Sequence, residues 1–84
     1  MPGYEERYRW ATMVRIVPRD RLEEFARTWR FHHPLTPEQL GYGGRVAAVK
    51  SVSFYHGGDV LYELGNVPGF WHEQLLEPVI AEMP

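Results

Sequence analysis

The chain lacks cysteine entirely, and it also lacks a long apolar run and a strong net charge of either sign. Without cysteine it has neither a disulfide to stabilise the fold nor a thiolate to bind a metal ion. No apolar stretch reaches the roughly 18 residues that predict a membrane helix, so we expect no membrane partner. The start, MPGYEE, has neither the basic residues nor the apolar stretch of a secretory signal. We therefore expect a cytoplasmic protein.

The net charge of −2 over 84 residues gives no general reason to expect nucleic acid as a partner. The length allows one domain, residues 1–84, and the aromatic content is high: three Trp, five Tyr and four Phe. Residues 1–30 hold seven Arg, whereas seven of the eight Gly follow residue 40. We therefore predict an α+β fold, with an N-terminal strand and one α-helix in residues 1–33 and a small, partly open β-barrel in residues 34–84.

Residues 8–17 alternate in the manner of a strand with one solvated face. The side chains that share one side of such a strand are Tyr8, Trp10, Thr12, Val14 and Ile16. A helix is the alternative, because the apolar residues between Trp10 and Val17 also include a stripe with helical spacing. The β-branched content favours the strand.

The next segment has the pattern of a helix over residues 20–31. Apolar side chains recur at helical spacing at Leu22, Phe25 and Trp29, which we call the helix stripe. Asp20 and Glu23 have the spacing of an N-terminal capping box. Pro34 excludes the helical conformation at the residue before it, so the helix must end earlier.

The remainder of the chain reads as short strands separated by turns. Thr36-Pro37-Glu38-Gln39 predicts a single helical turn that Thr36 caps. A long strand over 46–55 changes the phase of its alternation near Lys50, which indicates a bulge. Further strands are expected at 60–64, 70–73 and 79–81, with a helical turn over 74–78.

A two-residue turn at Gly57-Gly58 predicts a hairpin in which Tyr55 faces Val60 and His56 faces Asp59. Both faces of this hairpin carry large apolar side chains, so neither face is expected to lie open to water. A barrel encloses one face in this interpretation. The helix stripe or a protein partner covers the other.

In residues 34–80, Leu61-Tyr62 precedes a glycine-rich loop, and Trp71 and Glu73 follow it. The accompanying motifs are, in order, Pro34-Leu35, Gln39-Leu40, Gly44, Ala47-x-Val49 and Tyr55-His-Gly-Gly-Asp59. This order resembles small bacterial SH3-like barrels, in particular the barrel of the nitrile hydratase β subunit. The resemblance implies a partly open barrel of about five short strands, a type used as an accessory or docking module. The nitrile hydratase metal is bound by cysteines of the partner subunit, so the resemblance transfers no catalytic role to this cysteine-free chain.

The four histidines are the main candidates for chemistry. His32 and His33 suit a helix C-terminus, where a cationic imidazole interacts favourably with the helix dipole. His56 beside Asp59 suits a local pair at a turn. The alternative is a metal site formed by His56, Asp59 and His72, which requires the strand at 70–73 to return beside the turn. HExxH and cysteine-based metal motifs are absent, and we expect no bound cofactor.

The sequence contains no convincing catalytic residue, because its serines lack the glycine-flanked turn of a nucleophile elbow. The N-terminal arginines offer a second alternative, namely nucleic-acid binding, although acidic residues lie among them. These arginines are Arg7, Arg9, Arg15, Arg19, Arg21, Arg27 and Arg30.

The preferred interpretation is a non-enzymatic protein-binding module, an accessory subunit or adaptor of a bacterial enzyme or complex. Its partner is expected to be another protein or a second copy of the chain. Aromatic side chains in a groove between loops form the kind of surface that binds peptides in SH3-like domains. The candidates for this surface are Tyr42, Tyr55, Tyr62, Phe70 and Trp71.

Overall fold

The structure is a computed structural model that describes residues 6–55 and 58–79. The strands are β1 (Met13–Ile16), β2 (Val46–Tyr55), β3 (Asp59–Leu64), β4 (Val67–His72) and β5 (Leu76–Pro78). One helix, α1, spans Arg19–Thr28, and single 3-10 turns span Gln39–Tyr42 and Glu73–Leu75. Within the described ranges no helix has the length and apolar character needed to cross a membrane.

The five strands form one antiparallel sheet in the order β4-β3-β2-β1-β5. The sheet is not closed, since β4 and β5 are its two edges. The long strand β2 is shared, because Ala47 pairs with Val14 of β1 while Val52 pairs with Tyr62 of β3. This arrangement confirms a mixed α+β fold with one helix and a small antiparallel sheet.

The strand interpretation of residues 8–17 is correct only for Met13–Ile16, and the helix alternative is wrong. Ala11 has a positive φ of 71°, so the chain turns immediately before the strand. The Ala11 N–H donates to the carbonyl of Val49 at 2.8 Å, and the Val49 N–H donates to the carbonyl of Thr12 at 2.8 Å. These bonds attach the turn to β2.

Helix α1 begins one residue earlier than predicted and ends at Thr28, three residues earlier than predicted. The capping-box prediction is wrong, because Pro18 is the N-cap residue and Asp20 lies inside the first turn. The helix stripe faces the sheet as predicted. The rings of Phe25 and Trp29 each lie 4.9 Å from the ring of His72 on β4.

The predicted bulge in β2 is confirmed by a register shift between Val49 and Ser51. The predicted hairpin register is wrong by one residue, because Tyr55 pairs with Asp59 rather than with Val60. Three residues therefore connect the strands, and Gly58 adopts a positive φ of 95° typical of such loops. Asp59 is thus not opposite His56, which lies outside the described residues.

The segment before β2 is attached to the edge strand β4 through a buried glutamine. The predicted turn is present, but its N-cap residue is Glu38 rather than Thr36. Thr36 and Gln39 bond reciprocally, with Thr36 N–H to Gln39 Oε1 at 3.0 Å and Gln39 N–H to Thr36 Oγ1 at 3.3 Å. Gln39 Nε2 donates to the carbonyl of Phe70 at 2.9 Å. Gly69 has a positive φ of 86°, and a Cβ there would lie 2.7 Å from Gln39 Nε2. Only glycine therefore fits this contact without a shift.

The last part of the chain also departs from the prediction. Strand β4 begins at Val67, ahead of the expected residue 70. The helical turn is shorter than expected, so β5 begins at Leu76 and pairs with β1. Residues 80–81 of the predicted last strand lie outside the described residues. The core between these elements contains buried side chains of every strand and of α1, among them Val14, Ile16, Leu22, Val49, Tyr62, Leu64, Trp71 and Leu76.

Candidate functional site

Four titratable side chains from distant parts of the chain meet in what we call the histidine cluster: His32, His33, Asp59 and His72. His32 and His33 follow α1, Asp59 begins β3 and His72 ends β4. The antiparallel pairing of Leu61 with His72 places the end of β4 beside the start of β3. The chain between α1 and the first 3-10 turn then brings the two adjacent histidines to the same place.

The histidine cluster contains a chain of hydrogen bonds that runs through His32. His32 Nε2 lies 2.6 Å from Asp59 Oδ2. An ionised carboxylate only accepts, so the proton of this bond lies on His32 Nε2. His32 Nδ1 and His33 Nδ1 lie 2.9 Å apart, and His33 Nδ1 is the donor when His32 carries its single proton on Nε2.

The backbone around this histidine pair is held in an uncommon conformation. His33 has a positive φ of 50°, a region that few residues other than glycine adopt. The Trp29 indole Nε1–H donates to the carbonyl of His32 at 2.7 Å. These constraints turn the His33 ring back towards the His32 ring, with the ring centroids 5.1 Å apart.

His72 is a buried member of the histidine cluster, with 2% of its surface exposed. Its Nε2–H donates to the carbonyl of His33 at 2.8 Å and so binds the loop to β4. Burial lowers the pKa of His72, although its hydrogen bond to the His33 carbonyl opposes the shift. His72 is therefore a neutral structural donor at physiological pH.

Exposed aromatic side chains lie beside the histidine pair: Tyr55 and Phe70 contact it, and Phe31, which precedes His32 in the chain, packs edge-on against Trp29 at 5.0 Å. We call Phe31, Tyr55 and Phe70, together with His32 and His33, the aromatic surface. Phe31, Tyr55 and Phe70 are 68%, 37% and 39% exposed. The His32 ring stacks on Tyr55 at a centroid distance of 3.8 Å, and the His33 ring meets Phe70 edge-on at 5.3 Å. A firmly positioned aromatic surface therefore lies open to solvent on this side of the sheet.

A second polar cluster, the tyrosine network, comprises Arg7, Tyr8, Tyr62 and Glu73. The Tyr62 hydroxyl accepts from the backbone N–H groups of Arg7 at 3.0 Å and Tyr8 at 3.2 Å. It donates to Glu73 Oε2, which also accepts from the Arg7 N–H at 2.9 Å. Burial, reinforced by the bond to Glu73, raises the pKa of Tyr62 well above its ordinary value.

The structure separates the five aromatic residues that the sequence suggested for partner binding. Tyr55 and Phe70 belong to the aromatic surface. Tyr62 and Trp71 are fully buried, with 0% of their surface exposed. Tyr42 is half-buried against the core, where the Arg45 guanidinium lies 5.1 Å from its ring centroid. A docking surface can therefore use only part of the suggested set.

Two of the suggested metal ligands, Asp59 and His72, lie together in the histidine cluster, where each has another hydrogen-bond partner. His56 lies outside the described residues, Asp59 accepts from His32, and His72 donates to the carbonyl of His33. Over residues 6–55 and 58–79, no three His, Cys, Asp or Glu side chains are arranged to bind one metal ion. The His56, Asp59 and His72 site stays a prediction.

The seven N-terminal arginines are exposed and lie on different elements. Arg19 forms an ion pair with Glu23 at 2.9 Å, and Arg15 is paired across the sheet with Glu77. Arg7 lies over the ring of Tyr8, with 5.7 Å to its centroid. Acidic side chains therefore lie among these arginines, and nucleic-acid binding stays a prediction.

Sequence reasoning missed two parts of the site, namely the exposed Phe31 and the contact of the histidine pair with Asp59. The interpretation of His32 and His33 as residues of a helix end failed because α1 stops at Thr28. The His-His-Pro order before a turn was the available signal, since a histidine in a turn tolerates a positive φ. We found no match to this chain among protein-family models, curated proteins or solved structures.

Proposed function

We propose that the protein is a non-enzymatic protein-binding module built on an SH3-like barrel. In this proposal it acts as a small accessory subunit or adaptor of a bacterial enzyme or complex. The aromatic surface binds an extended, proline-containing segment of the partner.

The strand arrangement supports the SH3-like part of the proposal. All neighbouring strands are antiparallel, β2 is bent by a bulge and shared between two sets of pairs, and a 3-10 turn directly precedes β5. A small, partly open barrel of five short strands has these properties. The long connection between β1 and β2 carries the helix in addition.

The observation that carries the functional proposal is the aromatic surface itself. It lies where the segment after α1 meets the end of β2, at Tyr55, and the second half of β4. Extended proline-rich segments bind grooves lined by aromatic side chains, because their backbone is already ordered before binding. The rings need little further ordering, since His32 and His33 pack against Tyr55 and Phe70.

The depressions in the described part favour a surface over an enzymatic pocket. One, lined partly by Asp59, His72 and Gln74, has a volume of about 160 Å³, and another beside Phe25 and Leu75 has about 250 Å³. Both are smaller than the roughly 300–1,000 Å³ of typical small-ligand pockets.

The proposal is tested by adding proline-rich peptides to isotope-labelled protein and recording amide chemical shifts. We expect shift changes that concentrate on Phe31, Tyr55 and Phe70, and we expect binding to be lost in Tyr55→Ala and Phe70→Ala. Trp10→Ala is the matched control, because Trp10 is 75% exposed but lies far from the aromatic surface. The next residue, Ala11, donates to the carbonyl of Val49, which is about 20 Å along β2 from Tyr55.

The absence of binding by every peptide would overturn the proposal. Sedimentation of the free protein over a range of concentrations tests whether a second copy of the chain binds this surface instead. If the protein dimerises and Phe70→Ala abolishes the dimer, the surface binds a second copy and the proposed peptide is wrong.

A further inference from the structure

The Nδ1 atoms of His32 and His33 lie 2.9 Å apart in a partly buried position. Two nitrogen lone pairs that face each other at this distance repel unless a positive particle lies between them. A proton can fill that position when one ring is the Nδ1–H tautomer. When both Nδ1 atoms are unprotonated, a metal ion can instead bind both of them from a position about 1.5 Å to the side of the line that joins them.

The distance suits two ligands of one metal ion. Imidazole nitrogens bind metals such as Zn²⁺ at about 2.0–2.1 Å, so two of them at an angle of about 90° stand about 2.9 Å apart. That angle is the one between neighbouring ligands in the square-planar geometry of Cu²⁺ and Ni²⁺. A tetrahedral angle would place the nitrogens about 3.3–3.4 Å apart at the same bond length.

Asp59 supplies the outer partner that metal-binding histidines commonly have. It accepts the Nε2–H proton of His32 and thereby leaves the His32 Nδ1 lone pair free for a metal. Stacking on Tyr55 fixes the plane of the His32 ring, whose side chain is 14% exposed. The orientation of this ligand is therefore set before any metal binds.

We propose that His32 and His33 chelate one divalent transition-metal ion through their Nδ1 atoms. His33 moves its proton from Nδ1 to Nε2, so the neutral pair binds the metal without net release of a proton. In the described part of the chain no third His, Cys, Asp or Glu joins the pair. Water completes the coordination, and the order of affinity is Cu²⁺ above Ni²⁺ and Zn²⁺. This site does not depend on the proposed protein-binding function.

The test is a calorimetric titration of the untagged protein with Cu²⁺, Ni²⁺ and Zn²⁺ at about pH 7.5, where imidazole is neutral. We expect one Cu²⁺ per chain, and an electron paramagnetic resonance spectrum with two nitrogen ligands. Asp59→Asn should weaken binding about 10–100-fold. His32→Ala and His33→Ala should each weaken it further than Asp59→Asn does, with folding verified by circular dichroism.

His56→Ala is the control, because His56 belongs to the other candidate site, and it should leave the affinity unchanged. Loss of the bound metal in His56→Ala would overturn the proposal in favour of the His56, Asp59 and His72 site. Binding that persists in the His32→Ala/His33→Ala double variant would also overturn it. A spectrum of the unchanged protein with a single nitrogen ligand, or no stoichiometric binding, would do the same without reliance on any variant.

Discussion

His72 and Glu73 are neighbours in the chain, but they bind two different segments to the sheet. His72 donates to the carbonyl of His33 and holds the loop after α1. Glu73 accepts from the Tyr62 hydroxyl and the Arg7 N–H, and so holds the segment before β1. Successive residues at the end of a strand point in opposite directions, and here each direction serves a separate polar cluster.

The two clusters differ in whether their contacts reach the surface of the protein. The tyrosine network is closed around a fully buried hydroxyl that has two donors and one acceptor as partners. The innermost residue of the histidine cluster, His72, is buried, but His32 and His33 connect the cluster to exposed aromatic rings at the surface. Closed networks contribute to stability, whereas an open one leaves groups available for a ligand. We therefore expect the tyrosine network to contribute to stability, whereas the proposed binding depends on the aromatic surface.

Among the changes that test this comparison, Tyr62→Phe is expected to have the largest effect on stability. The substitution keeps the ring but leaves the N–H of Tyr8 without its partner and Glu73 with only the Arg7 N–H. We expect the free energy of unfolding to fall by about 2–3 kcal/mol in a urea titration. The control is Tyr42→Phe, since no group in residues 6–55 or 58–79 bonds the Tyr42 hydroxyl; we expect a change below about 0.5 kcal/mol. Equal effects of the two substitutions would contradict the stabilising role of the tyrosine network.

A change of pH is expected to have a smaller effect on stability. The histidine cluster should lower stability at acid pH, and the tyrosine network should lower it at alkaline pH. Burial lowers the pKa of His72 in the folded protein below 6.5, so the unfolded chain binds a proton more readily and stability falls as pH decreases below 6.5. The pKa of Tyr62 is raised above 10.0, so the folded protein retains its proton and stability falls as pH increases above 10.0. Urea titrations of metal-free protein across this pH range measure both losses of stability.

The loss at acid pH and the loss at alkaline pH each have their own control. His72→Leu should reduce the loss of stability at acid pH and leave the loss at alkaline pH. Tyr62→Phe should do the reverse, although part of the alkaline loss should remain because burial also raises the pKa of Tyr8. An acid loss that is unchanged in His72→Leu would show that His72 is not its source.

The smallest effect on stability is expected for Phe31→Ala in the aromatic surface. Phe31 is 68% exposed, and its ring packs edge-on against Trp29. We expect the free energy of unfolding to change by less than about 0.5 kcal/mol in the same urea titration. A loss above about 1 kcal/mol would mean that the aromatic surface is structural, and its assignment to binding would fail.

Local patterns predicted the features that depend on neighbouring residues. The phase change at Lys50 located the bulge, and the Thr36–Gln39 pattern located the single helical turn, although not its N-cap residue. The alternation of Val14 and Ile16 also identified the inward side of β1. Each of these depends on a few consecutive residues, so the sequence contains the information directly.

Features that depend on chain segments far apart were not predictable in this way. The hairpin register was wrong because two glycines suggested a two-residue turn, whereas the Tyr55–Asp59 pair leaves a three-residue connection. That one-residue difference moves Asp59 to the position where His32 reaches it. The histidine cluster forms because α1 and the loop after it pack against β4. No local sequence pattern predicts such a contact.

The pairing of β1 with β5 has a consequence for the order of assembly. Val14 of β1 pairs with Pro78 of β5, so this pairing can form only after β5 has been synthesised. The β2–β3 and β3–β4 hairpins close short loops and can form earlier, at low entropic cost. A growing ribosome-bound chain that has not yet reached Leu76 therefore leaves one edge of β1 unpaired. Completion of the sheet is a late event that follows synthesis of nearly all described residues.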